Sequence, residues 1–191
     1  MVKGGVRVSI VLVTGGARSG KSSFAEEYIK ERYEKVAYIA TAIAFDEGMV
    51  DRIKKHQDSR PKDWTTYEQY KNLHMLISEI NESNEVALLD CVTIMVTNLM
   101  FEKNVDWDNV SREEIDSIED MVKNEFLLLL QRAKEMNLNL VLVTNELGMG
   151  IVPENRLSRI FRDMAGRVNQ LISKMADEVY FVVSGIPMKI K

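Results

Sequence analysis

Three groups of residues in this chain have types and spacings that could do chemistry. The first is Gly15-Gly16-Ala17-Arg18-Ser19-Gly20-Lys21-Ser22, which fits the pattern G-x-x-x-x-G-K-[ST] at every fixed position. Glycines at those places let the backbone curl so that successive N–H groups converge on phosphate oxygens. Lys21 adds a point charge for the β and γ phosphates, and the Ser22 hydroxyl is a ligand for Mg²⁺. The loop needs a buried strand leading in and a helix leading out, because the helix then turns its positive dipole end toward the anion.

The second is Asp90, which ends the apolar run Val86-Ala87-Leu88-Leu89. A carboxylate at the C-terminal end of a core strand can hold the water shell of a Mg²⁺ bound at the loop. It could also cap a helix over Val92–Glu102, and the two roles are compatible. Cys91, directly after it, reads as a small buried hydrophobe. The third is His56, in the densest cationic stretch of the chain, Arg52–Pro61. Positive neighbours disfavour the imidazolium, and a neutral imidazole nitrogen can attack phosphorus to form a covalent intermediate. Residue types alone leave a second reading open, in which His56 packs with Met49 and Ile53 on one helical face. His74 has no cationic cluster and reads as a structural or surface histidine.

The elements that must position these groups alternate along the chain. Strands are expected over Val8–Val13, Lys35–Ala40, Glu85–Asp90, Asn139–Thr144 and Glu178–Val183, the last being the final strand. Helices are expected from Lys21 to about Tyr33, over Asp46–Asp58, Tyr70–Glu82, Val92–Glu102, from Ser111 to about Met136, and over Glu154–Met175. Arg60-Pro61 ends the second of these, since the residue before proline is pushed out of helical geometry. Ser111-Arg112-Glu113-Glu114 has the spacing of a capping box. Alternation of short β runs with longer helices predicts an α/β fold, a mainly parallel sheet with helices on both faces, in one domain over residues 1–191. Arg159, Arg162 and Arg167 fall on the last helix, either as a solvated basic face or as phosphate contacts. The turn Gly148–Pro153 is either a plain connection or a loop that closes over substrate. Trp64 either stacks on a ring or packs.

Bulk composition narrows the function classes. The 191 residues carry a formal net charge of −4, with 46% hydrophobic and 28% charged residues. No global positive field draws such a chain to nucleic acid or an anionic membrane, which argues against a nucleic-acid-stimulated motor. Nucleotide binding must therefore rest on local cations and backbone donors. The apolar runs Val8–Val13 and Phe126–Leu130 are far shorter than the roughly 20 residues that span a bilayer. A signal peptide is not expected at the N-terminus, the lone Cys91 can form no internal disulfide, and a cytoplasmic location follows.

Over nearly its whole length the chain resembles the bifunctional adenosylcobinamide kinase and adenosylcobinamide-phosphate guanylyltransferase family of cobalamin assembly. The resemblance rests on the Gly15–Ser22 loop with Arg18, then Thr41-Ala42, Asp46-Glu47 and Met49. It continues through Arg52-Ile53, His56, Arg60-Pro61, Trp64, Thr66 and Glu68, and through Leu88–Thr93 with Asn98. Its most specific part is Asn145–Pro153, then Asn155, Arg159, Phe161-Arg162-Asp163, Gly166-Arg167, Asn169-Gln170, Ala176–Tyr180 and Ser184–Pro187. The resemblance implies a RecA-like P-loop NTPase core and a homotrimer. It also implies two reactions: phosphorylation of the aminopropanol hydroxyl of adenosylcobinamide by a nucleoside triphosphate, ATP or GTP, then transfer of GMP from GTP onto adenosylcobinamide phosphate. By the same resemblance His56 carries the guanylyl group, and Lys21 and the rest of Gly15–Ser22 hold the phosphates. Thr41, Ala42 and Ile43, together with Gln57, Asp58, Ser59 and Arg60, line the guanine nucleotide, and Glu68 and Asp90 are further nucleotide contacts. Gln57 and Ser59 stand where basic residues are common in that family. A single-step kinase for another small alcohol is the alternative.

Overall fold

The computed structural model describes residues 8–42 and 61–191. The helix expected over Asp46–Asp58, and with it Ile43, His56, Gln57, Asp58, Ser59 and Arg60, lies outside the described residues.

Strands β1 (Ile10–Gly15), β2 (Val36–Ala40), β3 (Thr65–Glu68), β4 (Val86–Asp90), β5 (Asn139–Val143), β6 (Glu178–Val183) and β7 (Ile186–Lys189) form one sheet. Their order is β3-β2-β4-β5-β1-β6-β7, and every pairing is parallel except β6 with β7. The helices are α1 (Lys21–Lys30), α2 (Leu73–Ser83), α3 (Val92–Phe101), α4 (Arg112–Glu135) and α5 (Arg156–Met175). β1, β2 and β5 are buried at every position and β4 at all but Asp90, as their unbroken apolar runs require of strands covered on both faces.

Alternate side chains of one strand feed two cores. Ile10 and Leu12 of β1 join the core under α2, α3, α4 and α5. Val11 and Val13 join the core under α1, which also holds Trp64. Trp64 packs there, its ring centroid 6.4 Å from that of Tyr38. The helix starts obey local rules: Ser111 Oγ accepts from Glu114 N at 3.1 Å, and Asn155 Oδ1 accepts from Ser158 N at 3.0 Å. Because Asn155 is the cap, α5 begins two residues after the Glu154 expected.

Three expectations are corrected. Glu178–Val183 is not the last strand: Ser184 (φ 51°) and Gly185 (φ 82°) both take left-handed conformations and turn the chain back into β7. β3 was also unforeseen. Both are four-residue edge strands with few or no buried positions, so neither leaves an apolar run, and Pro187 is tolerated because it sits on an edge. Asp90 does not cap α3; the cap position is Cys91, with no side-chain cap bond.

The parallel strands place Gly15, Ala40-Thr41, Asp90 and Thr144 at one edge of the sheet, where ligands of open α/β sheets collect. One strand, β5, separates β1 from β4, so the strand feeding the glycine loop and the strand ending in Asp90 are not neighbours. This is a mainly parallel α/β core with the G-x-x-x-x-G-K-[ST] loop at its strand ends. Among the described residues no helix is long and apolar enough to cross a membrane.

Candidate active site

The glycine loop takes its shape from close backbone approaches. A Cβ on Gly15 would lie 2.4 Å from Val182 O of the paired strand and 2.7 Å from Ser19 Oγ. Gly20 (φ 91°) is left-handed at the start of α1, and a Cβ there would meet Gly185 Cα at 3.1 Å. Gly185 N donates to Ser19 O at 2.8 Å, so the β6–β7 turn braces the loop from outside. Arg18 (φ 56°) is also left-handed, which completes the curl. Gly16, Ala17 and Arg18 are exposed, while Ser19, Gly20 and Ser22 are half-buried.

Lys21 is buried, and its Nζ donates to Gly16 O at 2.7 Å across the loop. Burial holds its ammonium below the ordinary lysine value, opposed by Cys91 and by Asp90. Burial also pushes the Cys91 thiol up to about 12, so the thiol is neutral near pH 7 and the carboxylate of Asp90 is the neighbour that favours the charged lysine. Cys91 is thus a buried hydrophobe, as its sequence setting suggests.

Asp90 Oδ2 accepts from Tyr38 Oη at 3.1 Å. Ser22 and Asp90 are the hard oxygen donors suited to Mg²⁺, which keeps much of its water. Next to Asp90, the buried Thr41 ties two strand ends together: Oγ1 donates to Cys91 O and accepts from Cys91 N, both at 2.9 Å, while Thr41 O accepts from Asn98 Nδ2 at 2.7 Å. Its hydroxyl is therefore committed inside the fold. Ala42 is half-buried beside it. Glu68, at the end of β3, is exposed and lies at the outer edge of the sheet, with β2, β4 and β5 between it and β1.

A second polar knot ties the end of β5 to α3 and α5. Thr93 Oγ1 accepts from Asn145 N at 2.8 Å and lies 3.4 Å from Thr144 Oγ1. Thr144 Oγ1 donates to Asn169 Oδ1 at 2.7 Å, and Asn169 Nδ2 donates to Asn145 O at 3.1 Å. Each member is buried or half-buried and partnered, so the knot fixes where the chain leaves the sheet.

Along α5, facing β1 and β6, runs a cleft of about 660 Å³ lined by Thr14, Glu146, Gly148, Arg162, Arg167 and Gln170 among others. The three arginines singled out in the sequence separate here. Arg159 Nη1 donates to Pro153 O at 3.0 Å and to Glu154 O, closing the turn before the helix. Arg167 binds the buried Glu119 of α4 at 2.7 and 2.5 Å. Arg162 lines the cleft and pairs with the neighbouring Asp163 at 3.1 Å. Burial raises the Glu119 carboxyl, yet Arg167 and Lys123 outweigh it and hold the group below the ordinary glutamate value. Two residues that carried no role in the sequence reading, Thr14 and Glu146, flank both loop and cleft. Their signal was position alone, at the C-terminal ends of two adjacent parallel strands.

The chain is similar to known proteins over nearly its whole length. Residues 11–190 match the family described as cobinamide kinase / cobinamide phosphate guanyltransferase. The chain is 48% identical over 182 residues to the bifunctional adenosylcobalamin biosynthesis protein CobU of Escherichia coli (strain K12), covering 95% of this chain and 99% of that protein. It is 47% identical to the protein of the same name from Salmonella typhimurium, over the same shares of both chains. Bifunctional adenosylcobalamin biosynthesis protein CobP of Pseudomonas aeruginosa is 37% identical, over 94% of this chain and 96% of that one.

Proposed function

Since the chain belongs to the cobinamide kinase / cobinamide phosphate guanyltransferase family, we propose that it carries out both reactions as one catalytic domain. It phosphorylates the aminopropanol hydroxyl of adenosylcobinamide with ATP or GTP, then transfers GMP from GTP to the new phosphate, giving adenosylcobinamide-GDP and pyrophosphate. The observation that carries this reading is the completed phosphate loop, with buried Lys21 inside it and Asp90 acting on that lysine from β4.

In the first reaction the backbone N–H groups of Gly15–Ser22 and the ammonium of Lys21 hold the triphosphate and stabilise charge on the leaving diphosphate. Mg²⁺ at Ser22 and, through water, Asp90 would neutralise phosphate charge. In the second, a ring nitrogen of His56 attacks the α-phosphorus of GTP, pyrophosphate departs, and an oxygen of adenosylcobinamide phosphate then displaces the histidine. Thr41, Ala42, Ile43, Gln57, Asp58, Ser59, Arg60 and Glu68 contact the guanine nucleotide in this reading, Thr41 by some group other than its hydroxyl, which is engaged with Cys91. We place the enzyme in the cytoplasm, bound neither to nucleic acid nor into a membrane, as a homotrimer. Exposed Met149, Ile151 and Val152, with Ile186, Met188 and Ile190, supply apolar surface that another subunit would cover, and light scattering checks the mass.

GTP labelled in the α-phosphate tests the covalent route. The wild-type protein should acquire an acid-labile, base-stable label that His56→Ala lacks, while that variant retains phosphoryl transfer to adenosylcobinamide. An unlabelled wild-type protein, or equal loss of both reactions in the variant, would favour a single-step kinase.

A further inference from the structure

Glu146 stands where the phosphate loop touches the cleft along α5. Its backbone N–H donates to Gly15 O at 3.0 Å, which pins the residue to the first position of the loop. It follows the C-terminal end of β5, the strand between those of Gly15 and Asp90. Its half-buried side chain lines the cleft. Oε1 accepts from Gly148 N at 3.0 Å, and among the described residues Oε2 makes no hydrogen bond. Beside it, Thr14 is 8% exposed and its Oγ1 has no partner among the described residues, although it lines the same cleft. A buried hydroxyl left unpaired is unfavourable, so this wall gains from a polar atom of a ligand.

The cleft volume of about 660 Å³ is that of a small-molecule site. Two of its polar side chains, Arg167 and Asn169, are already spent on Glu119 and Thr144, whereas Thr14 and Glu146 cluster at its loop end. Transfer of a phosphoryl group to an alcohol needs an acceptor for the hydroxyl proton. Among the described residues the other carboxylates near the strand ends are poorly placed. Asp90 accepts the Tyr38 hydroxyl and acts on Lys21, and Glu68 lies at the far edge of the sheet.

The geometry points to Glu146 as the general base of the phosphoryl-transfer reaction, with the cleft along α5 receiving the hydroxyl-bearing arm of the acceptor. This rests on the functional reading above and assigns the residue and surface that reading lacks. The hydroxyl O–H bond breaks and its proton passes to a Glu146 carboxylate oxygen. The freed oxygen forms a bond to the γ-phosphorus, and the bond from that phosphorus to the β–γ bridging oxygen breaks. Its electron pair leaves with the nucleoside diphosphate, and Glu146 later returns the proton to solvent. The Gly148 hydrogen bond keeps one carboxylate oxygen oriented while the other faces the acceptor.

The test compares wild type, Glu146→Gln and Glu146→Asp in two separate assays: phosphorylation of adenosylcobinamide, and guanylyl transfer to supplied adenosylcobinamide phosphate. Glutamine can still accept from Gly148 N, so the loop stays braced while the base is lost. The expected result is a fall of roughly 10²–10³-fold in kcat of the first reaction, with KM for the nucleotide and the second reaction each within about threefold. Glu146→Asp should recover part of the rate. Equal losses in both reactions, or no recovery by Glu146→Asp over Glu146→Gln, would show a bracing role and overturn the assignment. A wild-type enzyme that phosphorylates no adenosylcobinamide would instead overturn the functional reading, and this proposal with it.

Discussion

β1 serves two surfaces built in different ways. At Gly15 it enters the phosphate loop, the eight consecutive residues Gly15–Ser22, which in the proposed reading hold the ligand mostly through main-chain N–H groups. Beside Thr14 it forms one wall of the cleft along α5, whose lining comes from β1, β6, α5 and the turn after β5. The loop's shape depends on absent side chains: Gly15 and Gly20 are required because Val182 and Gly185 press against them. The cleft's shape depends on side chains that are present and paired, such as Arg167 with Glu119 and Asn169 with Thr144. A contiguous main-chain site should therefore fail through single glycines or its one lysine, and a composite site through its struts.

The largest expected effect lies in the loop. Lys21→Ala should lower phosphoryl transfer and guanylyl transfer alike by roughly 10²–10⁴-fold, since both use the same triphosphate cradle. Steady-state rates for the two reactions check it, and a variant with either rate near wild type would break the idea of a shared cradle.

Next comes the backbone fit. Gly15→Ala places a Cβ 2.4 Å from Val182 O and should cost about 1–3 kcal/mol through overpacking between β1 and β6. Gly16→Ala meets nothing within 4 Å and should leave stability nearly unchanged. Urea unfolding of the pair sharpens the comparison; equal midpoints would mean that the loop tolerates crowding and that the glycine pattern has another origin.

The smallest effect belongs to the strut behind the cleft wall. Glu119→Gln weakens the strut that holds Arg167 in the wall and should cost about 1 kcal/mol at pH 7, because Arg167 is half-exposed and screened. The folded carboxyl sits below its ordinary value, so the stability it contributes is full above the unfolded value of about 4.3 and is lost as pH falls through the folded one. The gap between wild type and Glu119→Gln should thus close on acidification. A gap that stays constant with pH would mean that the strut acts through packing rather than charge.

How much of this was legible in advance differs between the two surfaces for the same reason. Gly15–Ser22, the central strands and the cap at Ser111 depend on neighbours in sequence, so spacing and residue type reveal them. The edge strands β3 and β7 depend on a single neighbour each, and their exposed side chains left no periodic signal. Arg159, Arg162 and Arg167 look alike on a helical pattern; only their partners, Pro153 and Glu154, Asp163, and Glu119, separate a turn clasp, a cleft residue and a strut.

The sequence by itself determined a nucleotide loop, the strand carrying Asp90, a parallel α/β core and the family to which they belong, because each is written in contiguous residues with strong local preferences. Tertiary structure alone decided that β5 stands between the loop strand and the Asp90 strand, that the Thr41 hydroxyl is spent on Cys91, and that Glu146 stands between loop and cleft. Those outcomes follow from which strands pair and how they register, and pairing over more than a hundred residues of chain leaves no mark in local spacing.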